Sequence, residues 1–353
     1  MEILAHRGPY GFATRDLVLV DATRPTPANN TCSGSPVRTL PTRVFHPAWP
    51  ATRTASPPPP QPVPVAGGGP FPLLAYAHGL TSRGESARHF VEHLASHGYF
   101  VAVPLFPLSN GGAPGGPTFA DMANQAGDLG FVQDRLGQLD GSNADIAAAA
   151  DTQRRGLLGF SAGGLTVLIA AHHPVLHLQN IDAAVVHAPV SCFLGPGSFA
   201  QPVPLTIIAG TADELVPLPG PEKVYALAPP PVTLVELVGG NHAGFMNTER
   251  LFVQNTDRRE CELLLTSGGT QGFEAFEADI TAGVGPDALD PSGCTPLCSE
   301  QFTQTMGATR QIKLARAATL AHFEAVLRGN AYAAAFLEHA LDDLPDVEVS
   351  TKP

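Results

Sequence analysis

Short, nearly unbroken apolar runs, each bounded by glycine, proline or polar clusters, recur along the middle of the chain. Strands covered on both faces of a sheet read this way, because neither face meets water. The pattern predicts strands at "PLLAYAHG" (72–79), "YFVAVPLFP" (99–107), "RRGLLGF" (154–160), "IDAAVVHAP" (181–189), "PLTIIAGTAD" (204–213) and "TLVELVGG" (233–240). Between them, helices are predicted at "SARHFVEHLASHG" (86–98), "FADMANQAGDLGFVQDRLGQL" (119–139), "AGGLTVLIAAHH" (162–173) and "GPEKVYALA" (220–228). In the first, Phe90, Val91 and Leu94 share a face and Gly98 is the stop. Strands alternating with helices imply an α/β fold, a mostly parallel doubly wound sheet with helices on both faces.

The flanks break the alternation. "DLVLVDAT" (16–23) and "RTLPTRVFHPA" (38–48) read as strands of an N-terminal section over 16–55. "SPPPPQPVPVAGGGP" (56–70) is a connection, since its prolines forbid helix and its glycines a packed strand. The catalytic core would span 71–244. Residues 245–309 show no clear period and form an irregular, cysteine-containing excursion. "RQIKLARAATLAHFEAVLRG" (310–329) and "AYAAAFLEHAL" (331–341) read as closing helices within 310–345. One domain over 1–353 is expected, and residues 190–203 are too few for a large helical lid.

Composition narrows the partners. A formal charge of −12 without basic runs repels phosphate backbones, so nucleic acid is excluded as a partner. No segment reads as membrane-spanning, because glycines, a serine and a threonine interrupt the longest apolar run and "HHP" follows it. The N-terminus has no basic region followed by an apolar one, so the protein is cytosolic or the sequence starts after a removed signal.

Five cysteines bear on that choice. None lies in a CxxC pair, and no His/Cys spacing suggests zinc. Cys261, Cys294 and Cys298 fall in the loop-rich excursion, where a disulfide from Cys261 to Cys294 or Cys298 would close roughly 35 residues. The odd count leaves a free thiol, expected at Cys192. Disulfides favour a secreted or periplasmic protein, with a cytoplasmic one as the alternative.

The chemistry concentrates in "RRGLLGFSAGGLTVLIAA" (154–171), where Ser161 stands among Gly159, Gly163 and Gly164. A strand–turn–helix of this kind lifts one hydroxyl clear of a sheet, and its neighbours must be small because strand and helix crowd there. A serine hydroxyl is a weak nucleophile and needs a base, itself oriented by a carboxylate. In the order Ser, acid, His, the candidates are Asp213 at the end of its strand and His242 just after the last strand. Glu214 reads as a surface acid, Asp182 lies at the wrong strand end, and His322 and His339 fall in helices. The N–H groups of Ala162 and Leu80 are the oxyanion-hole candidates, with His78 bracing the loop. Phe160, Phe245 and Met246, with Leu80, are candidates for a substrate pocket or for core packing. His89, His93 and His97 stripe one helix face; with no ligand from a third element they read as a solvated face, not a metal site.

At "RTLPTRVFHPA", "YAHGL", "NQAGDLGFV", "GFSAGG" and "AGTADELVP" the sequence resembles the α/β-hydrolases, within them the dienelactone-hydrolase and platelet-activating-factor-acetylhydrolase-like branch. The resemblance spans about residues 10–245 and the closing helices. It implies hydrolysis of a small-molecule or polymeric carboxylic ester through an acyl-serine, without cofactor or metal. Dienelactone hydrolases proper use cysteine where this chain has Ser161, which points to ordinary esters. Cutinase-type polyester hydrolases carry a tryptophan in the loop that reads here "HAPVSCFLG". The alternatives are a polyester hydrolase, a platelet-activating-factor-type acetylhydrolase, or a non-catalytic hydrolase-like binding protein.

Overall fold

The computed structural model describes residues 2–49, 62–82, 84, 87–246, 256–266, 271–299 and 301–353. Part of the proline-rich connection (56–70) and part of the 245–309 excursion lie outside the described residues. In chain order the elements are α1 (Glu2–Ala5), β1 (Gly11–Asp21), β2 (Arg38–Ala48), β3 (Phe71–Ala77), α2 (Arg88–Ser96), β4 (Phe100–Pro104), α3 (Met122–Leu136), α4 (Ala144–Ala149) and β5 (Ala150–Phe160). They continue with α5 (Ala162–His172), β6 (Ala183–His187), β7 (Leu205–Gly210), α6 (Pro219–Leu227), β8 (Val232–Leu237), α7 (Thr256–Thr266), α8 (Phe273–Thr281), α9 (Ala308–Arg328), α10 (Ala331–Ala335) and β9 (Val347–Lys352).

All nine strands join one sheet in the order β1-β2-β4-β3-β5-β6-β7-β8-β9. Strands β4, β3, β5, β6, β7 and β8 are parallel, and β3, β4, β6 and β7 are buried at every residue. This is what continuous apolar runs demand. The β1–β2 hairpin adds antiparallel at one edge and β9 at the other. The two largest apolar clusters lie on opposite faces of the sheet. Leu314, Leu320 and Phe323 of α9 pack with Phe90 and Leu94 of α2 on one side. Leu129 of α3, Leu165 and Leu168 of α5, and Phe276 of α8 pack on the other.

The hairpin is pinned by buried charge. Arg38 at the start of β2 donates to both oxygens of Asp121 (3.0 and 2.6 Å) and both of Asp128 (2.6 Å each), and all three side chains are fully buried. Arg38 and Asp128 come from two of the motifs behind the sequence resemblance, "RTLPTRVFHPA" and "NQAGDLGFV". A buried ion pair must be matched oxygen for nitrogen to offset its desolvation, and this one is.

Three expectations are corrected. The excursion is not wholly irregular, since α7 and α8 occupy part of it. The chain ends in a strand, β9, beyond the closing helices. The histidine stripe on α2 is not solvated. His89 and His93 are buried, and the N-terminal segment covers the face, with His93 Nε2 at 2.9 Å from the Leu4 carbonyl and His97 Nε2 at 2.9 Å from that of His6.

Candidate active site

Ser161 stands between β5 and α5 at φ 57° and ψ −122°, a conformation that costs an L-residue energy and that the fold must hold in place. Packing leaves it no choice. A Cβ on Gly159 would overlap the Gly163 carbonyl, and one on Gly163 would overlap the Ala77 carbonyl. A Cβ on Gly164 would come within 2.9 Å of Pro189. The turn is fastened by Ser161 N–H to the His187 carbonyl (2.9 Å) and by Gly164 and Val190 N–H to the Ser161 carbonyl (2.9 and 3.1 Å). Three glycines in an apolar run thus mark one junction where strand, helix and the β3 loop meet without room for side chains.

That β3 loop lies against the serine: a Cβ on Gly79 would sit 3.4 Å from Ser161 Cβ. His78 braces it. The Phe106 N–H donates to His78 Nε2 (3.1 Å), so Nδ1 carries the proton and donates to the Gly79 carbonyl (2.9 Å). Burial pushes the His78 pKa down to about 4, which keeps the ring neutral for both bonds. Thr81 N–H to the Ser109 carbonyl and Ser82 N–H to the Gly79 carbonyl hold the chain on either side of Leu80. Ala162 is buried at the first turn of α5.

Asp213 and His242 are brought together after β7 and β8. His242 Nδ1 lies 2.8 Å from Asp213 Oδ2, with both residues 2% exposed or less. The other carboxylate oxygen, Oδ1, accepts the N–H groups of Leu215 (3.0 Å) and Val216 (2.7 Å). Burial opposes a charge on His242, but the Asp213 carboxylate and its hydrogen bond, helped by Asp257 and Glu260, outweigh it and raise the pKa to about 9.

Among the pocket candidates, Phe160 and Phe245 are buried in the core, and Met246 is half-buried against it. The Phe160 ring lies 4.7 Å from the His242 ring, and Phe245 stacks on His187 at 5.5 Å. His187 is itself buried, with Nε2 at 2.8 Å from Thr319 Oγ1. His322 is buried beside Thr206, while His339 is exposed.

Two residues that hold the histidine loop escape sequence reasoning. Asp257 at the start of α7 accepts the N–H groups of His242 (2.9 Å) and Ala243 (2.8 Å). Gln311 of α9 accepts from Asn241 N–H (3.1 Å) and donates to the Asn241 carbonyl (2.7 Å). Neither has a motif, because a side chain that binds a backbone amide needs only reach.

The cysteines meet one expectation, a bridge from Cys261 to Cys298, and depart from another. Cys192 is not free: it pairs with Cys294, while Cys261 pairs with Cys298 and leaves Cys32 as the free thiol. Cys192 sits in the loop after β6, and that loop meets the excursion, as the Gly195 N–H bond to the Ala288 carbonyl (2.8 Å) shows. Among the described residues, no group of three His, Cys, Asp or Glu could hold a metal, and no helix is long and apolar enough to cross a membrane.

The architecture is the α/β-hydrolase fold. The structure is similar to that of a ferulic acid esterase from Streptomyces cinnamoneus, with a TM-score of 0.62 at 20% sequence identity and 97% of each chain covered. No protein-family model matches the chain, and none of the curated proteins matches it in sequence.

Proposed function

We propose that the protein is a serine carboxylic-ester hydrolase acting through an acyl-serine intermediate. The observation that carries this reading is that a serine held at positive φ and a histidine bonded to a buried carboxylate follow the carboxyl ends of parallel strands in one sheet, with the ring of Phe160, the residue before the serine, 4.7 Å from the histidine ring. In this reading Ser161 Oγ attacks the ester carbonyl while His242 Nε2 takes its proton. Asp213 holds the Nδ1–H tautomer, and the N–H groups of Leu80 and Ala162 receive the oxyanion. The C–O bond to the alcohol breaks as His242 returns the proton to the leaving oxygen. Water then repeats the cycle on the acyl-enzyme and frees the acid.

The motif resemblance to the dienelactone-hydrolase and platelet-activating-factor-acetylhydrolase-like branch supports the same chemistry, and two disulfides support a secreted or periplasmic setting. Of the four pocket candidates, Met246 and Leu80 are the ones with appreciable surface to offer an acyl group. A second reading, esters of aromatic acids, is favoured by a cluster of Phe119, Phe193, Phe273 and Phe276, whose ring centroids lie 5.1–6.3 Å apart. Leu80 packs against the same core, and the structural neighbour is a ferulic acid esterase. A fluorophosphonate probe followed by intact-mass analysis tests the mechanism. One adduct on wild type and none on Ser161→Ala is expected; a folded wild type that takes no adduct overturns it in favour of a binding protein. Rates on p-nitrophenyl acyl esters, methyl ferulate and a polyester film then divide the substrate classes.

A further inference from the structure

We propose that Asp257 is a positioning residue for His242, one carboxylate that ties together the loops carrying the acid and the base. The proposal rests on the esterase reading above. Asp257 is 3% exposed at the start of α7. Its Oδ2 accepts N–H from His242 (2.9 Å) and from Glu214 (3.2 Å), and its Oδ1 accepts N–H from Ala243 (2.8 Å). Glu214 directly follows Asp213, so the two sides of the Asp213–His242 pair are fastened to the same group. Three converging N–H donors in a buried place call for an ionised acceptor, and a neutral amide would turn one of its own donors against them.

The helix that brings Asp257 is fastened to the same two loops. Cys261 lies one turn further along α7, on the same face. It packs against Leu215 and Val216, the residues whose amides hold Asp213, and it is bonded to Cys298. The Cys298 N–H in turn donates to the Glu214 carbonyl (2.9 Å). A shift of the helix would therefore change the separation of acid and base, and displacements of that kind cost rate steeply.

The charge acts as well as the geometry. The acidic groups acting on His242 are Asp213 from the loop after β7, and Asp257 and Glu260 from α7; all three favour the imidazolium. Burial and the neighbouring Asp213 raise the Asp257 carboxyl to about 6, against the opposing pull of His242 and the amides. Removing this charge should let the imidazole lose its proton at lower pH.

The test compares Asp257→Asn with Asp257→Glu on an ester that wild type turns over. Asp257→Asn should lower kcat by about 10–100-fold with KM within about twofold, and move the apparent pKa of kcat/KM down. Asp257→Glu should keep the wild-type pKa and recover part of kcat. Should Asp257→Asn fail to fold, Asp257→Ser, which keeps an oxygen acceptor without charge, carries the same expectation. Unchanged kinetics in the neutral variant, or equal losses in both variants at the wild-type pKa, overturns the proposal. Those outcomes leave the esterase reading standing, whereas a wild type without turnover or probe adduct removes both.

Discussion

The parallel sheet and the segment 256–299 position the two halves of the candidate site by different physics. Around Ser161 the holding force is continuous packing: β3, β6 and β7 and the whole of α5 are buried, and the glycines close the gaps. Around His242 it is a handful of discrete bonds from a segment with little apolar surface. That segment contributes Phe276 and Ile280 to the core, with Phe273 and Leu289 packed against it, and adds two disulfides and the Asp257 carboxylate. A packed junction resists any single change, while a bonded one can be taken apart bond by bond. The comparison predicts that nucleophile chemistry can be lost without stability, and that the histidine side loses both together.

The largest effect should come from the packed side. Ser161→Ala should lower ester turnover by about 10⁴-fold or more, since a lost nucleophile in other serine hydrolases costs that order. The melting temperature should move little or rise, because the substitution removes a hydroxyl from a strained, half-exposed position. Steady-state rates and a thermal melt check both halves. Near wild-type turnover in a clean preparation would remove the serine mechanism.

On the bonded side the two disulfides should rank in opposite orders for stability and for rate. Cys192–Cys294 spans 102 residues and Cys261–Cys298 spans 37, which on chain entropy gives about 5 and about 4 kcal/mol respectively. Cys261–Cys298 is the one that touches the residues holding Asp213. Replacing Cys192 and Cys294 by serine should therefore cost more melting temperature, and replacing Cys261 and Cys298 more kcat. The same order in both measurements would show that neither bridge has a special hold on the catalytic loops.

The same contrast decides what could be read in the sequence. Strand β2 was expected at 38–48 and lies at Arg38–Ala48, and the Ser161 junction follows from its glycines. Periodicity finds elements that bury a face. It misses β9, "VEVSTK", which lies at the sheet edge and buries only Val347. It misses α7, "TDRRECELLLT", whose first turns carry mainly charged residues. Asp257 and Gln311 were hidden for a related reason: their partners are main-chain amides, which every residue supplies. The assignment of Cys192 as the free thiol failed because pairing depends on the loop after β6 meeting the excursion, a tertiary contact no spacing encodes.

A moderate effect is expected from pH. As the proposed base, His242 would act only when neutral, so a pKa raised to about 9 places the expected rise of kcat/KM well above the ordinary histidine value of about 6.5. The linked stability has the opposite sense. The folded protein keeps a proton that the unfolded chain releases near 6.5, so this contribution is complete below that pH and is lost as pH rises toward about 9. Activity should climb while the melting temperature declines across the same interval. A rate profile flat from pH 6 to 10 on a chemistry-limited ester would contradict the Asp213–His242 assignment.

The smallest effect belongs to Cys32, the thiol outside both bridges. It closes a short turn in which the Asn29 and Cys32 backbones exchange hydrogen bonds of 2.9 Å each, and these do not involve the sulfur. A half-exposed side chain with no hydrogen bond or bridge among the described residues should tolerate replacement within about 0.5 kcal/mol. Cys32→Ser should therefore leave melting temperature and kcat at wild-type values. Thiol titration of the denatured, unreduced chains makes the point quantitative: wild type should show one thiol and the variant none. More than one thiol in wild type would mean that a bridge is open, and if it is Cys261–Cys298, one of the ties of α7 to the loops of Asp213 and His242 is lost. A variant with no thiols but reduced turnover would instead place Cys32 in the site, against its position at the β1–β2 connection.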